Sequence, residues 1–138
     1  MNAVAKNNVM DWSKRSAHQW LEQYGLWVRS TKMNVSANPL AMLIDQNDKT
    51  RLRASRVSIP CDMTDIEGVE VSKLLAKMHN DKREYLAERG WLLILKYENE
   101  WSYQTIANTH KVSKATVRRE IDLGLAYLDG VIELKAEV

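Results

Sequence analysis

The stretch at residues 101–128, WSYQTIANTHKVSKATVRREIDLGLAYL, constrains the fold of this chain more than any other. Ser102 stands where a hydroxyl can accept a hydrogen bond from a first-turn N–H, which predicts a short helix over residues 103–109. A turn follows at residues 110–112, and Ser113 is a second candidate N-cap. Apolar residues then recur at helical spacing: Val117, Ile121, Leu125 and Leu128. The pattern predicts two helices joined by a three-residue turn, a helix-turn-helix.

The second helix of this pair has two unlike sides when its residues are projected at about 100° each. One side is apolar: Val117, Ile121, Gly124 and Leu128. The other side carries small, polar and basic residues: Ala115, Thr116, Arg118, Arg119 and Asp122. An apolar back that holds a helix to its domain, with a small and basic front, is typical of a recognition helix in a DNA major groove.

Positive charge gathers at the start of the second helix. The segment 111–119 contains four cations and no acid: Lys111, Lys114, Arg118 and Arg119. Cations are usually favoured at the opposite end of a helix, so this cluster indicates a phosphate partner for the side chains and the N–H groups beside them. The alternative is an ordinary helical hairpin whose charged side faces water. Lys111 also stands where such turns often have Gly, and a left-handed conformation costs a residue with a side chain about 1–2 kcal/mol.

The chain as a whole excludes several classes of protein. Its length of 138 residues predicts one domain, and its net charge of +2 means that nucleic acid must be bound by a local patch. Cys61 is the single cysteine, which rules out an intramolecular disulfide and indicates a reducing compartment. We find neither a signal peptide nor a membrane-length apolar run, and therefore expect a cytosolic protein with no membrane partner. No zinc-ligand spacing, phosphate loop or catalytic constellation is present, so we expect no metal, no cofactor and no enzymatic activity.

Three more helices are predicted upstream of the pair. Residues 1–10 are expected to form a flexible end, and residues 11–138 a single helical domain. Asp11 would cap the first helix, over residues 11–30, whose tryptophan stripe favours a place in the core over a platform for stacked bases. Thr64 would begin the second helix, with an apolar face that ends at Met78. The predicted core draws on all the helices: Trp20, Leu21, Leu75, Leu93, Ile106, Val117 and Ile121.

The third upstream helix is predicted over residues 82–98, with Asn80-Asp81 as its cap. Its run WLLIL would also suit a buried strand, but no partner strand is evident and good helix formers flank the run. Gly130 either caps the last helix or lies within it.

Residues 31–63 are the least regular part of the sequence and are predicted to form a long loop. Basic residues alternate in it: Lys49, Arg51, Arg53 and Arg56. In an extended chain the first three would share one face at a spacing of about 6.7 Å, which is near that of successive phosphates. The segment is therefore either a solvated loop or an electrostatic contact to phosphate or to an acidic protein surface.

Three stretches, taken in order, resemble the phage antitermination protein Q family, in its zinc-free branch from lambdoid phages. They are the tryptophan-rich DWSKRSAHQWLEQYGLWVRS, the run LLILKY, and the adjoining helix pair that ends in Leu-Asp-Gly. The resemblance extends from Asp11 to the C-terminus. The last part alone is also similar to region 4 of bacterial sigma factors. The opening helix and the loop therefore distinguish the Q family from sigma factors.

The resemblance implies an all-α protein with a sigma region 4-like helix-turn-helix at residues 101–130. It implies binding to double-stranded DNA near a phage late promoter, in the cytoplasm of a bacterial host. It also implies engagement of paused RNA polymerase with its sigma factor, and readthrough of terminators as the two travel together. The DNA-facing positions would be Ser113, Lys114, Ala115, Thr116, Arg118, Arg119 and Asp122, with Lys111 in the turn. We further expect the basic segment, from Lys49 to Arg56, to be ordered by polymerase or nascent RNA.

Two other functions fit the helix pair. A sigma-like or promoter-level regulator would use the same motif to change initiation without any effect on terminators. The DNA-recognition subunit of a phage packaging or recombination complex would bind DNA beside an ATPase or nuclease partner.

Overall fold

A computed structural model describes residues 10–35 and 60–137, and within these ranges the chain is helical with no strand. Five α-helices follow one another: α1 (Ala17–Val35), α2 (Asp65–His79), α3 (Glu84–Leu93), α4 (Tyr103–His110) and α5 (Lys114–Glu137). A 3₁₀ turn at Trp12–Lys14 precedes α1, and a π-helical turn at Ile94–Glu98 continues α3. The predicted all-α class is confirmed, including the helical conformation of the run WLLIL.

Helix α1 begins later than the sequence pattern predicts. Asp11 does cap, but it caps the 3₁₀ turn by accepting the N–H of Ser13 at 3.2 Å. Ser16 and Gln19 then form a capping box, because the Ser16 hydroxyl accepts the Gln19 N–H at 3.3 Å and Gln19 Oε1 accepts the Ser16 N–H at 3.0 Å. The helix continues to Val35, beyond the predicted end near residue 30.

The start of α2 follows the prediction and the start of α3 does not. Thr64 and Glu67 form a reciprocal capping box, in which the Thr64 hydroxyl accepts the Glu67 N–H at 3.2 Å. Asp81 was predicted to cap α3, but Arg83 occupies the N-cap position and offers no side-chain hydrogen bond. Asp81 instead accepts the backbone N–H of Arg83 at 2.9 Å and pairs with its guanidinium, so it stabilises the connection rather than the helix end.

The predicted core residues are all buried and belong to one cluster. The tryptophan stripe of the N-terminal segment is part of it, as Trp12 and Trp20 pack with ring centroids 5.6 Å apart. Trp20 also donates its indole N–H to the carbonyl of Trp12 at 3.2 Å. Burial of these two rings excludes the base-stacking alternative for them. Trp27 is half-buried and donates to Asp65 at 2.9 Å.

Helix α3 lies at the centre of the packing, against α2 on one side and α5 on the other. Helix α1 crosses the π-helical turn so closely that a Cβ on Gly25 would overlap the carbonyl oxygen of Tyr97. Arg29 secures this crossing, since its NH1 donates to the Tyr97 carbonyl at 3.0 Å and its Nε pairs with Glu100 at 2.8 Å. The crossing fixes the point at which the chain turns into α4. None of the helices described could span a bilayer.

Burial of Tyr24 makes the fold sensitive to alkaline pH. Burial, reinforced by the hydrogen bond that its hydroxyl donates to Glu98 at 2.8 Å, raises the pKa of Tyr24 to about 12. The unfolded chain would release this proton near pH 10, so the free energy of unfolding should fall as the pH rises from about 10 toward about 12. Burial also raises the pKa of Tyr97. Urea unfolding between pH 8 and 12 should therefore show a smaller decline for Tyr24→Phe than for the wild type.

A matched control is Tyr85→Phe, because that ring is exposed and meets water in both the folded and the unfolded chain. A Tyr24→Phe protein whose stability declines as steeply as the wild type would contradict the assignment.

Candidate nucleic-acid interface

Local hydrogen bonds shape the connection between α4 and α5. The Ser102 hydroxyl accepts the Thr105 N–H at 3.1 Å and begins α4 as predicted. Lys111 then adopts a left-handed conformation, with φ 56° and ψ 44°, and Val112 donates to the carbonyl of Ala107 at 3.1 Å. This closes α4 in the manner of a Schellman motif, although the residue is not Gly. The turn lies one residue later than predicted, because His110 still belongs to the helix.

The left-handed Lys111 yields a stability prediction. Lys111→Gly should be more stable than Lys111→Ala by up to about 1 kcal/mol, since Gly avoids a strain of about 1–2 kcal/mol but loses more chain entropy on folding. Both variants remove the same charge, so their DNA affinities should stay alike. Chemical denaturation of the two proteins gives the comparison, and equal stabilities would show that the turn is not strained.

The second helix of the pair begins with its predicted cap. The Ser113 hydroxyl accepts the Thr116 N–H at 3.1 Å, while its carbonyl accepts the Val117 N–H at 3.1 Å. The Ser113 and Thr116 hydroxyls are also 2.7 Å apart. Both side chains therefore make hydrogen bonds at the start of α5. The backbone N–H groups of Lys114 and Ala115 point along the helix axis and have no partner in the described ranges.

The back of α5 is fixed to the rest of the protein. The predicted apolar stripe is buried: Val117, Ile121, Gly124 and Leu128. Arg89 of α3 donates to Glu120 at 2.7 Å across the side of this contact. Neither partner was singled out from the sequence, because no pattern relates two residues on different helices. Gly130 does not cap α5, which continues through it to Glu137.

The front of α5 and the turn are open to solvent. Seven of the eight predicted interface residues are exposed: Lys111, Ser113, Lys114, Ala115, Arg118, Arg119 and Asp122. Thr116 is half-buried. None of the four cations forms an ion pair with any residue in the ranges 10–35 and 60–137. A face of uncompensated positive charge therefore surrounds the N-terminal end of a rigidly held helix, which is an arrangement that attracts phosphate.

The second predicted site is the basic segment. Lys49, Arg51, Arg53 and Arg56 lie outside the described residues. Within the described ranges, no three histidine, cysteine or carboxylate side chains are grouped so that they could hold a metal ion. His18 is exposed, and its Nδ1 lies 2.7 Å from the Tyr97 hydroxyl.

These features define a small helical protein whose C-terminal helix pair presents one basic face. The family model described as "Phage antitermination protein Q" matches residues 14–137, and the chain belongs to this family. A search of the curated proteins and a search of the solved structures each find no match. Family membership assigns the protein a role in phage antitermination and implies interaction with RNA polymerase and DNA in general terms.

Proposed function

We propose that this protein binds duplex DNA near a phage late promoter through the front of α5 and loads onto paused RNA polymerase, which then reads through terminators. The observation that carries the proposal is the set of four unpaired cations at the exposed end of a helix whose back is buried. Such a helix can enter a major groove without any change in the core behind it.

The side chains on this face suit different parts of the duplex. Arg119 lies opposite the buried stripe and would read a base edge, where a guanidinium can pair with guanine. Lys114 and Arg118 lie one turn apart toward the flank, which suits them to phosphates. Ala115 is small enough to let the backbone come close to the DNA. The Asp122 carboxylate would repel phosphate, so the phosphate contacts would end before this residue.

The remaining features of the proposal follow from the family's role. The protein would act in the bacterial cytoplasm on polymerase that still holds its sigma factor. It would act by binding and would not catalyse a reaction. We propose nascent RNA as a further contact, because terminator hairpins form in the emerging transcript.

The basic segment is proposed to serve the transcription complex rather than the promoter DNA. Replacement of Lys49, Arg51, Arg53 and Arg56 by Ser should sharply reduce readthrough by polymerase while leaving affinity for isolated DNA nearly unchanged. The physical reason is that four cations with few apolar neighbours gain most from an acidic surface or an RNA backbone. Readthrough and DNA affinity are measured on the same preparations. Loss of DNA affinity as severe as that of a recognition-face variant would assign the segment to the DNA contact.

Transcription in vitro tests the proposed function against its alternatives. The DNA element is first selected from a pool of random duplexes, and templates are built with it beside, or far from, a promoter-proximal pause. We expect readthrough of a downstream terminator only when the element lies beside the pause. Changed initiation without readthrough would favour the sigma-like regulator. Binding without any effect on transcription would favour the packaging or recombination subunit.

A further inference from the structure

A groove between α3 and the turn that precedes α5 has properties opposite to those of the basic face. It encloses about 500 Å³. Its floor includes Leu92 and Val117, which are buried, while its rim is formed by three large apolar side chains. These are exposed by 53% at Tyr85, 40% at Trp91 and 45% at Val112. Exposed aromatic residues gathered around one cavity are typical of a binding site rather than of ordinary surface.

The titratable groups Glu88, Arg89, Glu120 and His110 line this groove, so its charge is negative when His110 is neutral. Glu88 lies on its wall and also borders an adjoining hollow of about 350 Å³ beside His79. Glu88 forms no ion pair with any residue that the structure describes. The other two charges on the groove, Arg89 and Glu120, neutralise each other in a contact of 2.7 Å. One uncompensated acid therefore stands among the apolar walls and would repel a phosphate group.

The Trp91 ring adds to the attraction for a cation, whereas the Tyr85 ring already lies against the Arg89 guanidinium, 5.2 Å from the ring centroid. Tyr85, Glu88 and Trp91 follow one another at intervals of three residues along α3, so the carboxylate lies between two rings on one side of the helix. The Trp91 ring packs beside His79 with centroids 5.4 Å apart, which limits its movement. An indole face attracts Lys and Arg through its quadrupole, and a neighbouring carboxylate strengthens this preference.

We propose that this groove binds a protein segment of RNA polymerase that presents an apolar side chain next to a Lys or Arg. The apolar side chain would fill the cavity above Leu92 and Val117, and the cation would lie against Trp91 and pair with Glu88. The inference rests on the proposed function, which supplies polymerase as the protein partner. It divides the two neighbouring surfaces by charge, with DNA on the basic front of α5 and protein in the acidic aromatic groove.

Two variants of the groove test this division. The wild type, Trp91→Ala and Glu88→Lys are titrated against a paused complex of bacterial RNA polymerase holoenzyme, and separately against the selected DNA element. Trp91→Ala should lower affinity for the paused complex by about tenfold or more, as is common when an aromatic contact residue is truncated. Glu88→Lys should lower it as well, and more than Glu88→Gln does, because it introduces repulsion. Affinity of Trp91→Ala for isolated DNA should stay within about twofold of the wild type.

Leu134→Ala is the matched control, because Leu134 is an exposed apolar residue that does not line the groove. Because Glu88 is exposed, its replacement by Gln or Lys should not impair folding, and thermal unfolding of both variants checks this expectation. The proposal is overturned if the Trp91 and Glu88 variants bind the paused complex as the wild type does. It is also overturned if Trp91→Ala and Glu88→Gln lose affinity for isolated DNA to the same extent. Failure of the wild type itself to bind the paused complex would contradict the proposed function, and this inference with it.

Discussion

An Arg118→Ala, Arg119→Ala double variant is expected to lose at least about tenfold in affinity for the selected DNA element and most of its readthrough activity. Arg119 alone should account for about 1–3 kcal/mol if its guanidinium pairs with a base edge. Both side chains are exposed and make no ion pair within the described ranges. Their removal should therefore leave the free energy of unfolding nearly unchanged.

Comparison with Lys114→Ala separates base reading from phosphate contact. Lys114→Ala should weaken all DNA sequences alike and reduce the slope of log affinity against log salt by about one unit. Arg119→Ala should instead relax the preference at one base pair. Lys77→Ala serves as the control, since Lys77 is an exposed cation on α2, away from the helix pair. Equal DNA binding by the wild type and the double variant would show that the front of α5 does not contact DNA.

A large loss of stability is expected for Ile121→Ala. Ile121 is fully buried on the back of α5, in the core cluster that α3 and α5 share. Its truncation should lower the free energy of unfolding by about 2–4 kcal/mol, because lost burial and the remaining cavity add together. For a domain of this size, that would lower the melting temperature by roughly 5–15 °C.

Leu123→Ala is the comparison for Ile121→Ala, as it removes apolar volume from the same helix on the exposed side. Its effect on the free energy of unfolding should stay below about 1 kcal/mol. Chemical denaturation of the two variants compares their free energies of unfolding. If they lost similar amounts of stability, α5 would not be held by the face that the structure buries.

The elements that sequence reasoning predicted well depend on neighbours along the chain. Caps such as Ser102 and Ser113 act within three residues, so their roles can be predicted locally. The two sides of α5 follow from the helical period, because a stripe of apolar residues packs into the core whichever helix it contacts. The left-handed conformation of Lys111 was likewise foreseeable, because this residue stands where such turns often have Gly.

The elements that it missed depend on contacts between distant residues. Nothing in the sequence indicated that Gly25 lies against the carbonyl of Tyr97. The π-helical turn at Ile94–Glu98 was predicted as ordinary helix, since its extra residue is set by packing against α1. Trp91 belongs to the apolar run WLLIL, and its exposure of 40% became evident only from the structure. The groove therefore had no signal in the sequence.

Terminator readthrough shows whether the front of α5 brings this protein to the transcription complex. Single-round transcription is run on one template that carries the selected element beside a promoter-proximal pause and a strong terminator downstream. We expect the wild type to raise the fraction of full-length transcript several-fold, and the Arg118→Ala, Arg119→Ala double variant, folded to the same stability, not to raise it. Readthrough by the double variant equal to that of the wild type would contradict the claim that the front of α5 brings this protein to the transcription complex.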